Sequence, residues 1–270
     1  MKRVLIAILL ATICQGADTD YKVYVLGETA RLDNGKKCMD MKGNLLSGKA
    51  ELQKPREDNT TIATLCIDGK AIEERGYDER GGLDYAKPLK NGKAEGVAKR
   101  FYRSGKLALE SPYKNGKLEG VWRSFYESGK LAQETPYKND KAEGIAKIFY
   151  ESGELEQERP FKNGVRDGIV KTYYEDGKLK GEIQYKNGKR ERLAKFFYEN
   201  GELERKIMYK NGAQEGETKV FRENGEIWGV FTYKNDKLVS GVCYKANGEK
   251  TPLTKVELED WRARSKINCE

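Results

Sequence analysis

The chain has 270 residues, 37% hydrophobic and 35% charged, with 29 Gly against 6 Pro, a composition from which a thick globular core is hard to build. Aromatic residues reach 10%, and 51 Lys plus Arg stand against 43 Asp plus Glu, so the net charge is only +8 and the chain is equally unlike a disordered polymer. There is no histidine, which excludes His-based triads, His general bases and His-ligated zinc or haem.

Lys2 and Arg3 precede an apolar run from Val4 to Ile13. That run is too short for a permanent bilayer-spanning helix and has the length of a signal-peptide core. Residues 1–16 are therefore expected to be a cleaved leader, with Cys14 and Gly16 as the small residues before the cut. Acylation of Cys14 is the disfavoured alternative, because Ile13 stands where a lipobox carries a small residue. No later segment is apolar for long enough to cross a membrane, and the expected location is periplasmic or extracellular.

Cleavage leaves Cys38, Cys66, Cys243 and Cys269. Four cysteines allow three connectivities. These lie as one pair near each end, with the middle of the chain free of sulfur, so Cys38–Cys66 and Cys243–Cys269 are expected. Each bridge would close a loop of about 27 residues and contribute ~3 kcal/mol in an oxidising compartment. A metal site lacks both paired CxxC spacing and histidine, and no cofactor is expected.

Residues 17–64 read as an N-terminal cap with a degenerate repeat. They hold a strand over Tyr21 to Leu26, a turn at Asp33-Asn34-Gly35, and the sequon Asn59-Thr60-Thr61, which makes Asn59 a candidate glycosylation site.

Residues 65–248 repeat. Tyr113-Lys114-Asn115-Gly116 recurs at intervals of 24 residues as Tyr137-Lys138-Asn139-Asp140, Phe161-Lys162-Asn163-Gly164, Tyr185-Lys186-Asn187-Gly188, Tyr209-Lys210-Asn211-Gly212 and Tyr233-Lys234-Asn235-Asp236, with weaker copies upstream. A second glycine follows 13 residues later, at Gly105, Gly129, Gly153, Gly177, Gly201 and Gly225, each preceded by Ser, Asp or Asn. Every repeat thus has two turns around short runs rich in Val, Ile, Tyr and Phe, which is the signature of hairpins. The sequence predicts an all-β fold: an elongated, single-layer, antiparallel meander of tandem hairpins.

Pro88, Pro112, Pro136 and Pro160 share one position before the aromatic residue. A central strand would lose a ladder bond there, so a bulge or frayed end is expected. A two-residue loop at Ser104-Gly105 would set Lys99 against Glu110, and likewise Arg123 against Glu134, Lys147 against Glu158 and Lys171 against Glu182; a three-residue loop would set Phe101 against Leu107. Both registers stay open. Residues 249–270 read as a cap containing a short helix over 255–264, with Thr254 and Glu257 in capping-box spacing.

The pattern Tyr-Lys-Asn-Gly-Lys-x-Glu-Gly, an aromatic pair, then Ser/Asp/Asn-Gly-Lys/Glu-Leu, resembles the bacterial variant of the MORN repeat, found in proteins labelled YwqK-family antitoxin components. The resemblance covers roughly residues 41 to 248. It implies an antiparallel sheet of hairpins and a scaffold or binding role. Departures are Arg192 for a glycine and Asp140 and Asp236 for turn glycines.

The repeat also generates rows. Lys114, Lys138, Lys162, Lys186 and Lys210 line one margin, and Glu95, Glu119, Glu143, Asp167, Glu191 and Glu215 follow five residues later. The first row reads foremost as a solvated, soluble edge. The second is spaced at ~10 Å, too wide for carboxylates to share a calcium ion. Tyr113, Tyr137, Phe161, Tyr185, Tyr209 and Tyr233 form an aromatic row, joined by Tyr102, Tyr126, Tyr150, Tyr174 and Tyr198. It reads first as a stabilising ring surface, with the aromatic and lysine rows as the candidate binding surface. No irregular insertion supplies a nucleophile with an activating base. The expected function is a non-catalytic extracytoplasmic interaction or scaffold surface for a protein or an envelope glycan, with nucleic acid disfavoured; an antitoxin-like immunity protein is the alternative.

Overall fold

The computed structural model describes residues 22–25, 30–33, 36–55 and 60–254. The expected leader, the sequon asparagine Asn59, the helix over 255–264 and Cys269 lie outside the described residues. The chain divides into two compact units, one made of residues up to Leu131 with Tyr137–Asp140, the other of Ala132–Pro136 with everything from Lys141 onward.

The first unit begins with β1 (Lys22–Val25), β2 (Ala30–Asp33), β3 (Lys37–Asp40), β4 (Lys49–Pro55), β5 (Thr61–Ile67), β6 (Lys70–Tyr77) and β7 (Leu83–Lys90). Strands β4 to β7 pair in order as an antiparallel meander, and β2 with β3 forms a hairpin. One pairing departs from the expected antiparallel order: β1 lies parallel to β4. Alternation of side chains sets which face is buried but does not set strand direction, so the sequence carries no signal for it. The core of this unit is here, where Ala30, Cys38, Leu46, Ala50, Leu52, Cys66 and Ala71 are buried together. Cys38 and Cys66 are disulfide-bonded as expected, with Cα atoms 6.4 Å apart. Cys243 in the second unit is also disulfide-bonded; its expected pairing with Cys269 falls outside the described residues.

From β7 onward both units are built from the same hairpin. In the second unit the strands include Gly144–Phe149, Leu155–Lys162, Gly168–Tyr173, Leu179–Lys186, Lys189–Phe197, Leu203–Lys210, Ala213–Phe221, Ile227–Lys234 and Lys237–Tyr244. The Asn-Gly turns carry left-handed φ at both central residues, 51° at Asn187 and 81° at Gly188, the primed turn whose twist matches the flanking strands. Asp140 and Asp236 take the glycine place at φ 66° and 63°. Aspartate tolerates that region and adds an acceptor: Asp140 Oδ1 takes the Leu118 N–H at 2.7 Å and Asp236 Oδ1 the Gln214 N–H at 2.8 Å.

The second turn resolves the register question. Tyr174 N–H donates to the Lys178 carbonyl and Gly177 N–H to the Tyr174 carbonyl, both at 2.9 Å, which closes a three-residue loop with Gly177 at φ 83°. Tyr173 therefore faces Leu179, as Phe101 faces Leu107. The register then slips beyond Leu179, and Lys171 faces Glu182; Lys99 faces Glu110 and Lys147 faces Glu158 by the same slip. Each expected register holds on its own side of the bulge.

The prolines stand inside their strands, and the bulge is in the neighbouring strand. The Asp167 N–H donates to the Pro160 carbonyl at 3.1 Å, as Glu95 does to Pro88 at 3.0 Å. A Cβ at Gly168 would come within 2.9 Å of Pro160 Cγ, so glycine is required opposite the ring. Where Gln184 replaces the proline, Arg192 replaces the glycine at φ 64°, and the strand Lys189–Phe197 runs without a break.

At Gly129, with φ 92°, a Cβ would meet no atom within 4 Å. Gly129→Ala should therefore lose only the backbone term, ~1–2 kcal/mol, against less than about 0.5 kcal/mol for Ser128→Ala. Urea unfolding of the two variants checks this; equal losses would contradict the turn assignment.

Candidate functional site

Three sets of side chains recur along the repeats, and their partners lie one repeat further along the chain. The acidic row comes first. Each of its carboxylates sits at the bulge after an Asn-Gly turn and accepts the backbone N–H of the asparagine in the next such turn. The distances are 2.7 Å from Asn115 to Glu95, 2.9 Å from Asn139 to Glu119, 2.7 Å from Asn163 to Glu143, 3.0 Å from Asn187 to Asp167, 2.8 Å from Asn211 to Glu191 and 2.9 Å from Asn235 to Glu215. Charge-assisted bonds of this kind are stronger than neutral ones. A backbone bond runs beside each clamp, such as the Gly188 N–H to the Arg166 carbonyl at 2.8 Å. The acidic row is thus committed to closing turns. Among the described residues no three His, Cys, Asp or Glu side chains converge as a cation site.

The second set clamps the opposite margin. Tyr102 Oη donates to the Phe125 carbonyl at 2.5 Å, Tyr150 to that of Tyr173 at 2.7 Å, Tyr174 to that of Phe197 at 2.6 Å and Tyr198 to that of Phe221 at 2.7 Å. In the last copy Arg222 stands in the tyrosine position and donates to the Tyr244 carbonyl at 2.7 Å. Burial, followed by nearby carboxylates, raises the hydroxyl pKa of Tyr150, Tyr174 and Tyr198. Tyr173 is pushed up to about 12, first by burial and then by its 3.0 Å bond to Glu158.

The third set divides the faces of the sheet. One face carries the charges: Glu158 lies between Lys147 and Lys171, and Glu182 between Lys171 and Lys195. Of the expected cross-strand ion pairs, Lys99 and Glu110 approach to 3.9 Å, whereas Glu182 closes on Lys195, at 3.0 Å on its other side. Lys206 breaks the alternation by standing between Lys195 and Lys219.

The other face carries the Phe161, Tyr185 and Tyr209 rings, and what it buries is a row the sequence reading missed. Thr135, Ala146, Val170, Ala194, Ile207, Thr218 and Phe231 are all at most 6% exposed. These positions change identity from copy to copy, so no repeated letter marks them; the signal available was their parity with the aromatic row. Phe161 and Tyr185 are half-buried beside this row and Tyr209 is buried. Guanidinium groups cover two of these rings: Arg166 lies 5.5 Å from the Tyr185 centroid and Arg190 lies 4.3 Å from that of Tyr209. The lysine row Lys114, Lys138, Lys162, Lys186 and Lys210 is exposed at the Asn-Gly margin, off the ring face. The rows expected to form one surface are therefore separate.

The model of the MORN repeat variant matches six tandem segments, residues 94–115, 118–139, 142–163, 166–187, 193–211 and 214–235. The chain is a MORN-variant repeat protein. No curated protein matches it. Every MORN-variant segment but the fifth starts two residues after an Asn-Gly or Asn-Asp turn. The fifth begins late, at residue 193, immediately after the Arg192 that replaces the bulge glycine. The matches cover the clamped repeats and leave out the disulfide-bonded cap of the first unit.

Replacing Tyr150, Tyr174 and Tyr198 together by Phe should cost roughly 1 kcal/mol per hydroxyl at neutral pH, since each leaves a carbonyl without its donor. A tyrosine whose folded pKa lies above its unfolded value of ~10 stabilises the fold below that pH, and the contribution disappears as pH rises through the folded value. Wild-type stability should therefore fall more steeply than that of the triple variant above pH ~10. Urea titrations across that range, giving parallel slopes, would contradict the clamp.

Proposed function

We propose that this MORN-variant protein is a non-catalytic interaction or scaffold surface that works outside the cytoplasm, and that its partner, a protein or an envelope glycan, docks on the ring face. The observation that carries the reading is the division of labour among the rows. The repeat's carboxylates and most of its Tyr102-type hydroxyls are engaged in clamps between repeats. The ring face keeps half-buried aromatic and arginine side chains such as Phe161, Tyr185 and Arg166 available at its surface. Aromatic residues and arginine are the side chains that dominate binding interfaces. The disulfide-bonded Cys38, Cys66 and Cys243, together with the leader-like residues 1–16, support an oxidising compartment. Among the described residues no helix is long and apolar enough to cross a membrane.

Site-specific photocrosslinkers test the reading in the native host. A crosslinker at Tyr185 should give discrete adducts in the extracytoplasmic fraction, whereas one at Lys171, on the charged face, should give none. Adducts from Lys171 alone, or protein confined to the cytoplasm, would refute it.

A further inference from the structure

Between Thr135 and Phe231 the row of the ring face holds a charged residue once. Its neighbours on either side, Thr135, Ala146 and Val170, are 4%, 1% and 4% exposed, and the equivalent positions in the next two copies hold Ile183 and Ile207. Between them stands Arg159, half-buried, directly opposite Ala146 in the register. Its Nε donates to the Gln157 side-chain carbonyl, and among the described residues it has no ion pair. Two residues along the same strand and on the same face is Phe161, which is paired with Arg166. Arg159 and Arg166 are therefore diagonal neighbours, ~7–8 Å apart by sheet geometry. Arg166 rests on the Tyr185 ring and likewise has no ion pair among the described residues. The charged groups felt by Arg159 are Arg166, which lowers its pKa after burial does, and Glu156, which acts in the opposite sense.

A cation set in an apolar row beside a second cation is a cost to folding. An aliphatic residue fills the same place in the next repeats, so the fold does not require the charge. Local rules broken without structural compensation mark functional sites.

We infer that Arg159 and Arg166 form a carboxylate-reading pair for an extended acidic polypeptide segment laid across the ring face. Guanidinium groups take carboxylates in bidentate fashion. In an extended strand, same-side residues i and i+2 recur every ~6.7 Å, which matches the diagonal spacing of the two arginines; acidic residues at i and i+2 engage both. Phe161, opposite Arg166, and Tyr185, beneath the Arg166 guanidinium, supply the apolar floor. The inference rests on the ring-face reading above and gives it a partner chemistry.

The test uses the full chain, a fluorescein-labelled hexaglutamate peptide and three variants. Arg159→Ile should weaken peptide binding at least tenfold while raising the melting temperature, because the unpaired cation is removed. Arg166→Gln should weaken binding by a similar factor, and Lys162→Gln, with the same change in charge on the exposed margin, by less than twofold. Equal weakening by Lys162→Gln would reduce the effect to net charge and overturn the site. A fall in melting temperature for Arg159→Ile would make that arginine structural and overturn it as well, as would no binding by the wild type. Crosslinking from Tyr185 that persists unchanged in Arg159→Ile would refute this pair while leaving the ring face as the docking surface.

Discussion

Six successive turns of the repeats, from Asn115 to Asn235, are each closed by a carboxylate from the repeat before. A primed turn leaves an asparagine N–H pointing outward at the margin of the sheet, where it would otherwise bond only to water. The bulge at Glu95, Glu119, Glu143, Asp167, Glu191 and Glu215 aims a carboxylate at that N–H. The tyrosine hydroxyls do the same for carbonyls at the other margin. Repeats are thereby joined at both ends of their strands as well as by the ladder, in the nearest-neighbour fashion that holds solenoids together. A chain with 37% hydrophobic residues depends on this, because side-chain burial is confined largely to one narrow row and the disulfide-bonded cap.

Departures from the repeat keep to the same logic. Asp140 and Asp236 trade a glycine's conformational freedom for an additional acceptor. Gln184 and Arg192 change together, since the bulge glycine is crowded by proline at Gly168 but no proline faces position 192. Arg222 keeps the carbonyl bond that a tyrosine makes elsewhere. Arg159 bonds only the Gln157 side chain of its own strand and has no ion pair among the described residues, which sets it apart from these substitutions.

Much of the architecture was legible because turns and periods are written in letters. Asn-Gly and Ser-Gly spacing located the hairpins, and the pairing of Cys38 with Cys66 followed from their place at one end of a sulfur-free array. The register was legible only in halves, since a bulge after the second turn lets Phe101 face Leu107 and Lys99 face Glu110 at once. Two things were not readable. The parallel pairing of β1 with β4 leaves no pattern in either strand. The buried row runs through Ala146, Val170, Ala194 and Thr218, which share size and environment rather than identity. The clamps lay in plain view as invariant Glu or Asp and Tyr positions, but a partner one repeat away is visible only once the strands are paired.

Native-state hydrogen exchange of the asparagine amides measures directly whether the carboxylates close the turns. Asn187 is exposed at its turn, yet its N–H bonds Asp167 at 3.0 Å. Its amide should exchange about tenfold or more slowly than a free turn amide, in line with ~1.5 kcal/mol for a hydrogen bond to a charged group. Asp167→Ala should release Asn187 while leaving Asn211, held by Glu191, protected. Free exchange at Asn187 in the wild type, or equal release of Asn187 and Asn211 in the variant, would contradict the clamp as the link between repeats.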